Sequence, residues 1–417
     1  MDKFLINGGR PLKGTVKIGG AKNAVLPLMA ATIIVPGVYR INRVPNLKDT
    51  RTMIKLLEII GCNIEYNETK LIIDSTQCNN PEAPYDLVKT MRASFYVLGP
   101  LLARFGYAKV SMPGGCAWGP RPIDFHIDAM RIIGAEIELE DGYIIAKGDK
   151  LNGGNIDFKV SSVGATGNAL MASVRTSGIT KISNAATEPE IICLCEFLKK
   201  MGAKISGIGS NELEIEGSEK MNPADVEIIP DRIEAATFLI AGGMVGNSIT
   251  VDKVNPEHLS SVLQKLNEVG NEIVVKKDKV TIKSIGRPKS SKMVTGIYPA
   301  FPTDVQAQWM AYMSIGDGES SITDTVYIDR FTHISELNRL GSEINLFQNI
   351  ATIKGKPVLK GARVMSTDIR ASASLIIAGL AAEGKTEISR VYHIDRGYEN
   401  IEKKFQSLGA DIVRQKE

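Results

Sequence analysis

The chain repeats itself. A short apolar stretch, a glycine, two residues and an isoleucine recur as LLEIIGCNI at Gly61, MRIIGAEI at Gly134 and LKKMGAKI at Gly202. The same phrase returns as LNEVGNEI at Gly270, LNRLGSEI at Gly341 and FQSLGADI at Gly409, giving spacings of 73, 68, 68, 71 and 68 residues. In each copy, Leu and Ile at helical spacing bury one face. The glycine ends the helix in a left-handed conformation, and alternation then starts a strand. A second phrase, a small-residue apolar helix followed by glycine and a strand, interleaves at Gly37, Gly106, Gly178, Gly246, Gly318 and Gly384. Two phrases on one period of about 70 residues divide the chain into six helix-strand-helix-strand units, which predicts α/β layers.

The second helix set is rich in Ala, Gly and Ser, as in ASASLIIAGLAAEG. Helices that are small and apolar all round must be buried, with the sheets outside them. Six units divide into two domains of three. The polar run Ser218-Glu219-Lys220-Met221-Asn222-Pro223 reads as a linker, which places a boundary near Pro230. The first twenty or so residues read as a strand ending in Gly19-Gly20, a second hinge candidate.

Composition removes several classes of function. Net charge is +3, hydrophobic residues make up 43% and charged residues 23%. That balance argues against disorder and lacks the basic excess of a nucleic-acid binder. Five cysteines, Cys62, Cys78, Cys116, Cys193 and Cys195, are too sparse and odd in number for a disulfide framework, and with four histidines they show no metal-site spacing. The uncharged run from Asn23 to Tyr39, which no other run exceeds, contains Pro27 and Pro36 and is too short to insert in a membrane. Met1-Asp2-Lys3-Phe4 lacks a signal-peptide stretch, so the expectation is a reduced, cytoplasmic protein.

Ionisable residues gather where the buried helices begin. Those starts read Ala21-Lys22-Asn23, Thr90-Met91-Arg92, Val163-Gly164-Ala165-Thr166, Pro230-Asp231-Arg232, Pro302-Thr303-Asp304 and Thr367-Asp368-Ile369-Arg370. Asp304 and Asp368 have two readings, first-turn capping or chemistry. Lys22, Arg92 and Arg370 oppose the helix dipole, and an anionic ligand would supply a reason for them. The stretch Met112 to Pro122 holds three Gly and three Pro around Cys116, Trp118 and Arg121. It reads as an exposed, movable loop in which Arg121 favours a reactive Cys116 thiolate; the alternative is an inert surface cysteine. Arg330 and Arg396 each follow an Asp, as Asp329-Arg330 and Asp395-Arg396, and read as ion-pair partners or as bidentate anion binders.

At this level of detail the chain resembles the UDP-N-acetylglucosamine 1-carboxyvinyltransferase (enolpyruvyl transferase) family, essentially end to end. The phrases that carry the resemblance are GGAKNAVLP, MRAS, PGGCAWGPRPIDFH, SSVGATGN, NAATEPEI, IPDRIEA, AFPTDVQAQ, STDIRASASL and YHIDRGYENIEKK. The resemblance implies an inside-out α/β barrel, two domains each of three repeat units with buried helices and outer sheets. Residues 22–229 would form the N-terminal domain with the Cys116 loop. Residues 1–21 would join 230–417 in the C-terminal domain, with the active site in the cleft.

The implied reaction moves enolpyruvyl from phosphoenolpyruvate to the 3′-hydroxyl of UDP-N-acetylglucosamine and releases phosphate, by addition and elimination through a tetrahedral ketal. It is the first committed step of peptidoglycan synthesis and needs no cofactor. By resemblance, Cys116 is the proton donor and fosfomycin target, and Asp304 is the candidate base. Lys22, Asn23, Arg121 and Arg396 hold phosphoenolpyruvate. Arg92, Arg121, Pro122, Ile123, Asp124, Phe125, Ser162, Val163, Asp304 and Val326 contact the UDP-sugar. Asp368 and Arg370 form a second acid and arginine pair near the reacting carbons. Trp118 stands where the family commonly has a smaller aliphatic residue. Two rivals remain: a 5-enolpyruvylshikimate-3-phosphate synthase-like enzyme, and a non-catalytic UDP-sugar-binding regulator. The first would carry Pro-Gly-Ser-Lys-Ser where this chain has Gly-Gly-Ala-Lys-Asn; the second would be expected to lose Cys116, Asp304 or Lys22.

Overall fold

In the computed structural model of the chain, residues 2–112, 123–284 and 286–416 are described. The chain forms two compact units, Gly20–Ile229 and Met1–Gly19 with Pro230–Glu417. Each has its own continuous apolar core.

Within Gly20–Ile229, the inner helices are Lys22–Ala31, Leu98–Phe105 and Val163–Ser173. Every residue from Ala24 to Ala31 is buried, as is every residue from Ala165 to Ser173. A helix without a polar face has no side to offer water, so the sheets must surround it. Three four-stranded sheets do so here. In repeat one, Val38–Asn42 pairs antiparallel with Lys70–Asp74, which pairs with Asn63–Asn67, while Val226–Glu227 runs parallel along the other edge. Tyr39, Ile41, Leu71 and Ile73 are fully buried, alternating with residues that face outward. Repeats two and three follow the same order around Tyr107–Ser111 and Ile179–Ser183.

The unit Met1–Gly19 with Pro230–Glu417 repeats this plan around inner helices Arg232–Val245, Gln306–Met313 and Ile369–Ala381. Its sheets take two strands from the start of the chain. Asp2–Asn7 lies antiparallel between Lys385–Ser389 and Asp411–Lys416, and Leu12–Lys17 runs parallel to Gly246–Asp252. The fold is the inside-out α/β barrel, with helices inside and sheets outside in each unit.

Two sequence expectations need correction. Each repeat from one to five carries a hairpin where one strand was expected, because a turn, two residues long in all but repeat three, returns the chain. In repeat one that turn is Glu68-Thr69, with Glu68 at φ 52°, closed by Asn67 opposite Lys70. The opening segment is likewise two strands rather than one. The glycine reading holds well: Gly61, Gly134, Gly202, Gly270, Gly341 and Gly409 have φ between 90° and 109°. Of the second set Gly246 departs, at φ −82°, because its helix runs directly into strand Gly246–Asp252.

The cysteines read as inert are buried free thiols. Cys62 and Cys78 approach to 2.9 Å between sulfurs. Burial pushes Cys193 up to about 11 and Cys195 up to about 12.

Inner helices of repeats two and three touch backbone to backbone. The Gly99 N–H donates to Asn168 Oδ1 at 2.9 Å, and a Cβ on Gly99 would lie 2.4 Å from the Asn168 carbonyl oxygen. Gly99→Ala therefore forces the helices apart, at a cost of roughly 1–3 kcal/mol that outweighs alanine's better helix propensity. Gly142→Ala, at an open hairpin turn with φ 79° and nothing within 4 Å, meets only backbone strain of about 1 kcal/mol. Thermal unfolding should show the larger loss at Gly99; equal losses would contradict the close approach.

Candidate active site

In the unit Gly20–Ile229, Lys22 is the first residue of its helix, and Ala21 before it offers no side-chain cap. Its ammonium lies 3.3 Å from Asp49 Oδ2, on the first turn of helix Lys48–Ile60. Both groups are largely buried, at 13% and 4% side-chain exposure. A carboxylate of the chain itself is thus one partner of this cation, and the sequence reading had no signal for Asp49.

Arg92 opens the 3₁₀ turn Arg92–Val97. Phe95 of that turn meets the ring of His126 edge-on at 5.0 Å. His126 lies on helix Asp124–Ile132, which also carries Asp124 and Phe125. Its Nδ1 is 2.9 Å from Asn168 Nδ2, on the inner helix that begins at Val163. The amide of Asn168 also donates to the Phe95 carbonyl at 3.0 Å. Asn168 and His126 therefore pin together the segments that present Arg92, Asp124, Phe125, Ser162 and Val163. Ser162 itself caps its helix, accepting from the Ala165 N–H at 3.3 Å. Ile123 is half-buried beside the start of the helix. Cys116, Trp118, Arg121 and Pro122 lie outside the described residues.

The other unit separates the two aspartates that sequence left equivalent. Asp368 is a cap: its Oδ1 accepts from the backbone N–H of Arg370 at 2.7 Å and of Ala371 at 3.2 Å. Asp304 is not a cap. It sits inside the short turn Thr303–Val305. Its Oδ1 lies 2.8 Å from Arg330 Nη2 and its Oδ2 lies 2.9 Å from Arg370 Nη2. Arg370 is 6% exposed. Burial pulls its pKa down, but the Asp304 carboxylate outweighs that and holds the guanidinium charged. Arg330 pairs with Asp304 rather than with its neighbour Asp329.

Beneath Arg370 is a polar knot. The Tyr398 hydroxyl is 2.7 Å from Thr237 Oγ1, and Gln308 Nε2 donates to both and to the Asp304 carbonyl at 3.1–3.3 Å. Two inner helices, Arg232–Val245 and Gln306–Met313, are locked to each other through Thr237 and Gln308, and Tyr398 ties in the segment after Val391–Arg396. Arg396 ends the 3₁₀ turn Val391–Arg396. Its neighbour Asp395 is held by Arg414 through two hydrogen bonds of 2.6 and 3.0 Å, so the adjacent acid is committed to another arginine. Val326 is 46% exposed, and its N–H donates to Asp324.

Repeated α/β units with ionised residues at the starts of buried helices define an enolpyruvyl-transferase fold. The enolpyruvyl transferase NikO from Streptomyces tendae superposes with a TM-score of 0.91 over 99% of each chain at 24% identity. EPSP synthase from Acinetobacter baumannii superposes at 0.79 over 100% of each chain at 16% identity. The family described as EPSP synthase (3-phosphoshikimate 1-carboxyvinyltransferase) matches residues 6–405, and the chain belongs to it. Among its relatives, UDP-N-acetylglucosamine 1-carboxyvinyltransferase of Chloroherpeton thalassium is 54% identical over 100% of this chain and 97% of its own. The enzyme of the same name from Geobacter metallireducens is 49% identical over 100% of both.

His126 gives the site a pH dependence of stability. Burial, reinforced by the Arg92 charge, lowers it to about 3, so the folded unit keeps the ring neutral. An unfolded histidine takes up a proton near pH 6.5, so this stability is intact above pH 6.5 and is lost progressively as pH falls toward 3. Near pH 5 the loss is on the order of 2 kcal/mol. Urea unfolding at pH 7 and pH 5 should show a smaller pH-dependent loss for His126→Gln than for the parent. An unchanged loss would contradict a neutral, buried His126.

Proposed function

We infer that the chain transfers an enolpyruvyl group from phosphoenolpyruvate to the 3′-hydroxyl of UDP-N-acetylglucosamine, releasing phosphate. The full-length identity to relatives of that name carries this reading. It makes the protein a transferase of peptidoglycan synthesis. Cytoplasmic location and roles in cell-wall biogenesis, cell shape and cell division follow from that reading. No nucleic-acid partner is called for. No helix among the described residues is long and apolar enough to cross a membrane.

The reaction needs a proton on the methylene carbon of phosphoenolpyruvate, which makes its neighbouring carbon electrophilic. The sugar oxygen attacks that carbon and loses its own proton. The ketal then expels phosphate and gives up a methyl proton. We assign the first proton to Cys116 and the hydroxyl proton to Asp304. The geometry supports Asp304 over Asp368, whose Oδ1 is spent on helix amides. Arg330 and Arg370 occupy one face of each Asp304 oxygen and fix where the remaining lone pairs point. Lys22, Asn23, Arg121 and Arg396 are assigned to the phosphate and carboxylate of phosphoenolpyruvate, as charge demands. Arg92, Ile123, Asp124, Phe125, Ser162, Val163 and Val326 are assigned to the nucleotide sugar.

Phosphate release tests the reading. It should require both phosphoenolpyruvate and UDP-N-acetylglucosamine, and shikimate 3-phosphate should not replace the sugar nucleotide; release with shikimate 3-phosphate would move the chain to the synthase branch. Cys116→Ser should be nearly inactive, because a hydroxyl is far too weak an acid. Cys116→Asp should keep substantial turnover, and only the parent should be inactivated by fosfomycin, since a carboxylate is a poor nucleophile beside a thiolate. An active Ser variant beside an inactive Asp variant would remove Cys116 from the chemistry.

A further inference from the structure

Asp324, just after strand Glu319–Thr323, is fully buried. Its Oδ1 accepts from Thr295 Oγ1 at 2.8 Å and from the N–H groups of Val326 and Tyr327 at 3.1 and 2.8 Å. Those three bonds shape the turn that leads to Arg330. The fourth bond has a different reach. Asp324 Oδ2 accepts from Thr303 Oγ1 at 2.7 Å, and Thr303 immediately precedes Asp304.

A threonine hydroxyl has one proton and two lone pairs, and an ionised carboxylate can only accept. With its proton directed at Asp324, the Thr303 oxygen must receive. It accepts from Arg330 Nη1 at 3.1 Å, while Arg330 Nη2 holds Asp304 Oδ1 at 2.8 Å. The direction of the chain is therefore set: Arg330 to Thr303, and Thr303 to Asp324. Arginine has several rotatable bonds, and one charged contact leaves its fork free to swing; a second contact on the other nitrogen removes that freedom. Thr303 is not spent on capping, because Pro302 holds the cap position and no side-chain cap bond forms there.

We propose that Thr303 is a positioning residue for enolpyruvyl transfer: its hydroxyl, oriented by buried Asp324, holds Arg330 so that Arg330 fixes the Asp304 carboxylate. This rests on the assignment of Asp304 to the sugar hydroxyl. Asp324 thereby serves both the turn carrying Val326 and Arg330 and the turn carrying Asp304.

The test is steady-state phosphate release by the full chain with both substrates. Thr303→Val keeps the shape and deletes the hydroxyl. Its kcat should fall about ten- to a hundredfold, the range for a lost charge-linked hydrogen bond, with both KM values within about twofold of the parent. Thr303→Ser restores the hydroxyl and should recover most of the turnover. If Thr303 acts through Arg330, Thr303→Val should add little in an Arg330→Lys background. Thr303→Ala deletes the same hydroxyl and leaves room for water beside Asp324, so it gives the same reading if the Val variant does not fold. Parental kcat in the hydroxyl-deleted variants, no recovery with Ser, or a full multiplicative loss in the double variant would overturn the proposal. An inactive parent would instead overturn the functional reading, and this inference with it.

Discussion

Buried, predominantly apolar inner helices govern this structure. A helix whose whole surface is apolar is stable only where every side meets other protein, so each unit wraps sheets around its three inner helices. Charge on such a helix is tolerated in its first turn, where backbone N–H groups and solvent are still within reach. That tolerance accommodates Lys22, Arg92, Asp304, Asp368 and Arg370 at helix starts before any ligand is considered. The same burial makes each polar side chain deep in the core costly unless it is fully bonded. Asn168 with His126 meets that cost, and the Gln308 amide nitrogen likewise bonds to Thr237 and Tyr398.

Much of the fold was legible because glycine reports backbone conformation directly. Six glycines after amphipathic helices take left-handed geometry, as their place in the repeat required. Gly246 does not, because a helix running straight into a strand leaves no turn to make. The hairpin of repeat one was missed for a physical reason: its two-residue turn, Glu68-Thr69, carries neither Gly nor Pro, so nothing punctuates it in the sequence, whereas Asp141-Gly142 in repeat two did carry a turn signal. Strands lent across the chain, such as Asp2–Asn7 beside Asp411–Lys416, are set by long-range pairing that no local pattern encodes.

The candidate site was legible by position but not by partner. The helix starts located the ionisable residues, yet nothing local distinguished Asp368, bonded to its own helix, from Asp304, held by two arginines 26 and 66 residues away in the chain. Cations at helix starts were read as calling for an anionic ligand. Lys22 and Arg370 also have carboxylates of the chain as partners, Asp49 and Asp304, so the dipole argument alone overstates the need for one. Those carboxylates hold the two cations in place.

We assign Asp304, set by Arg330 and Arg370, as the group that meets the sugar hydroxyl. A crystal structure with UDP-N-acetylglucosamine bound measures this directly. The 3′-oxygen should lie within hydrogen-bond reach of an Asp304 carboxylate oxygen, at roughly 2.6–3.2 Å, with both arginine contacts to Asp304 retained. A 3′-oxygen bonded to Asp368, or a sugar bound with no contact to Asp304, would contradict it.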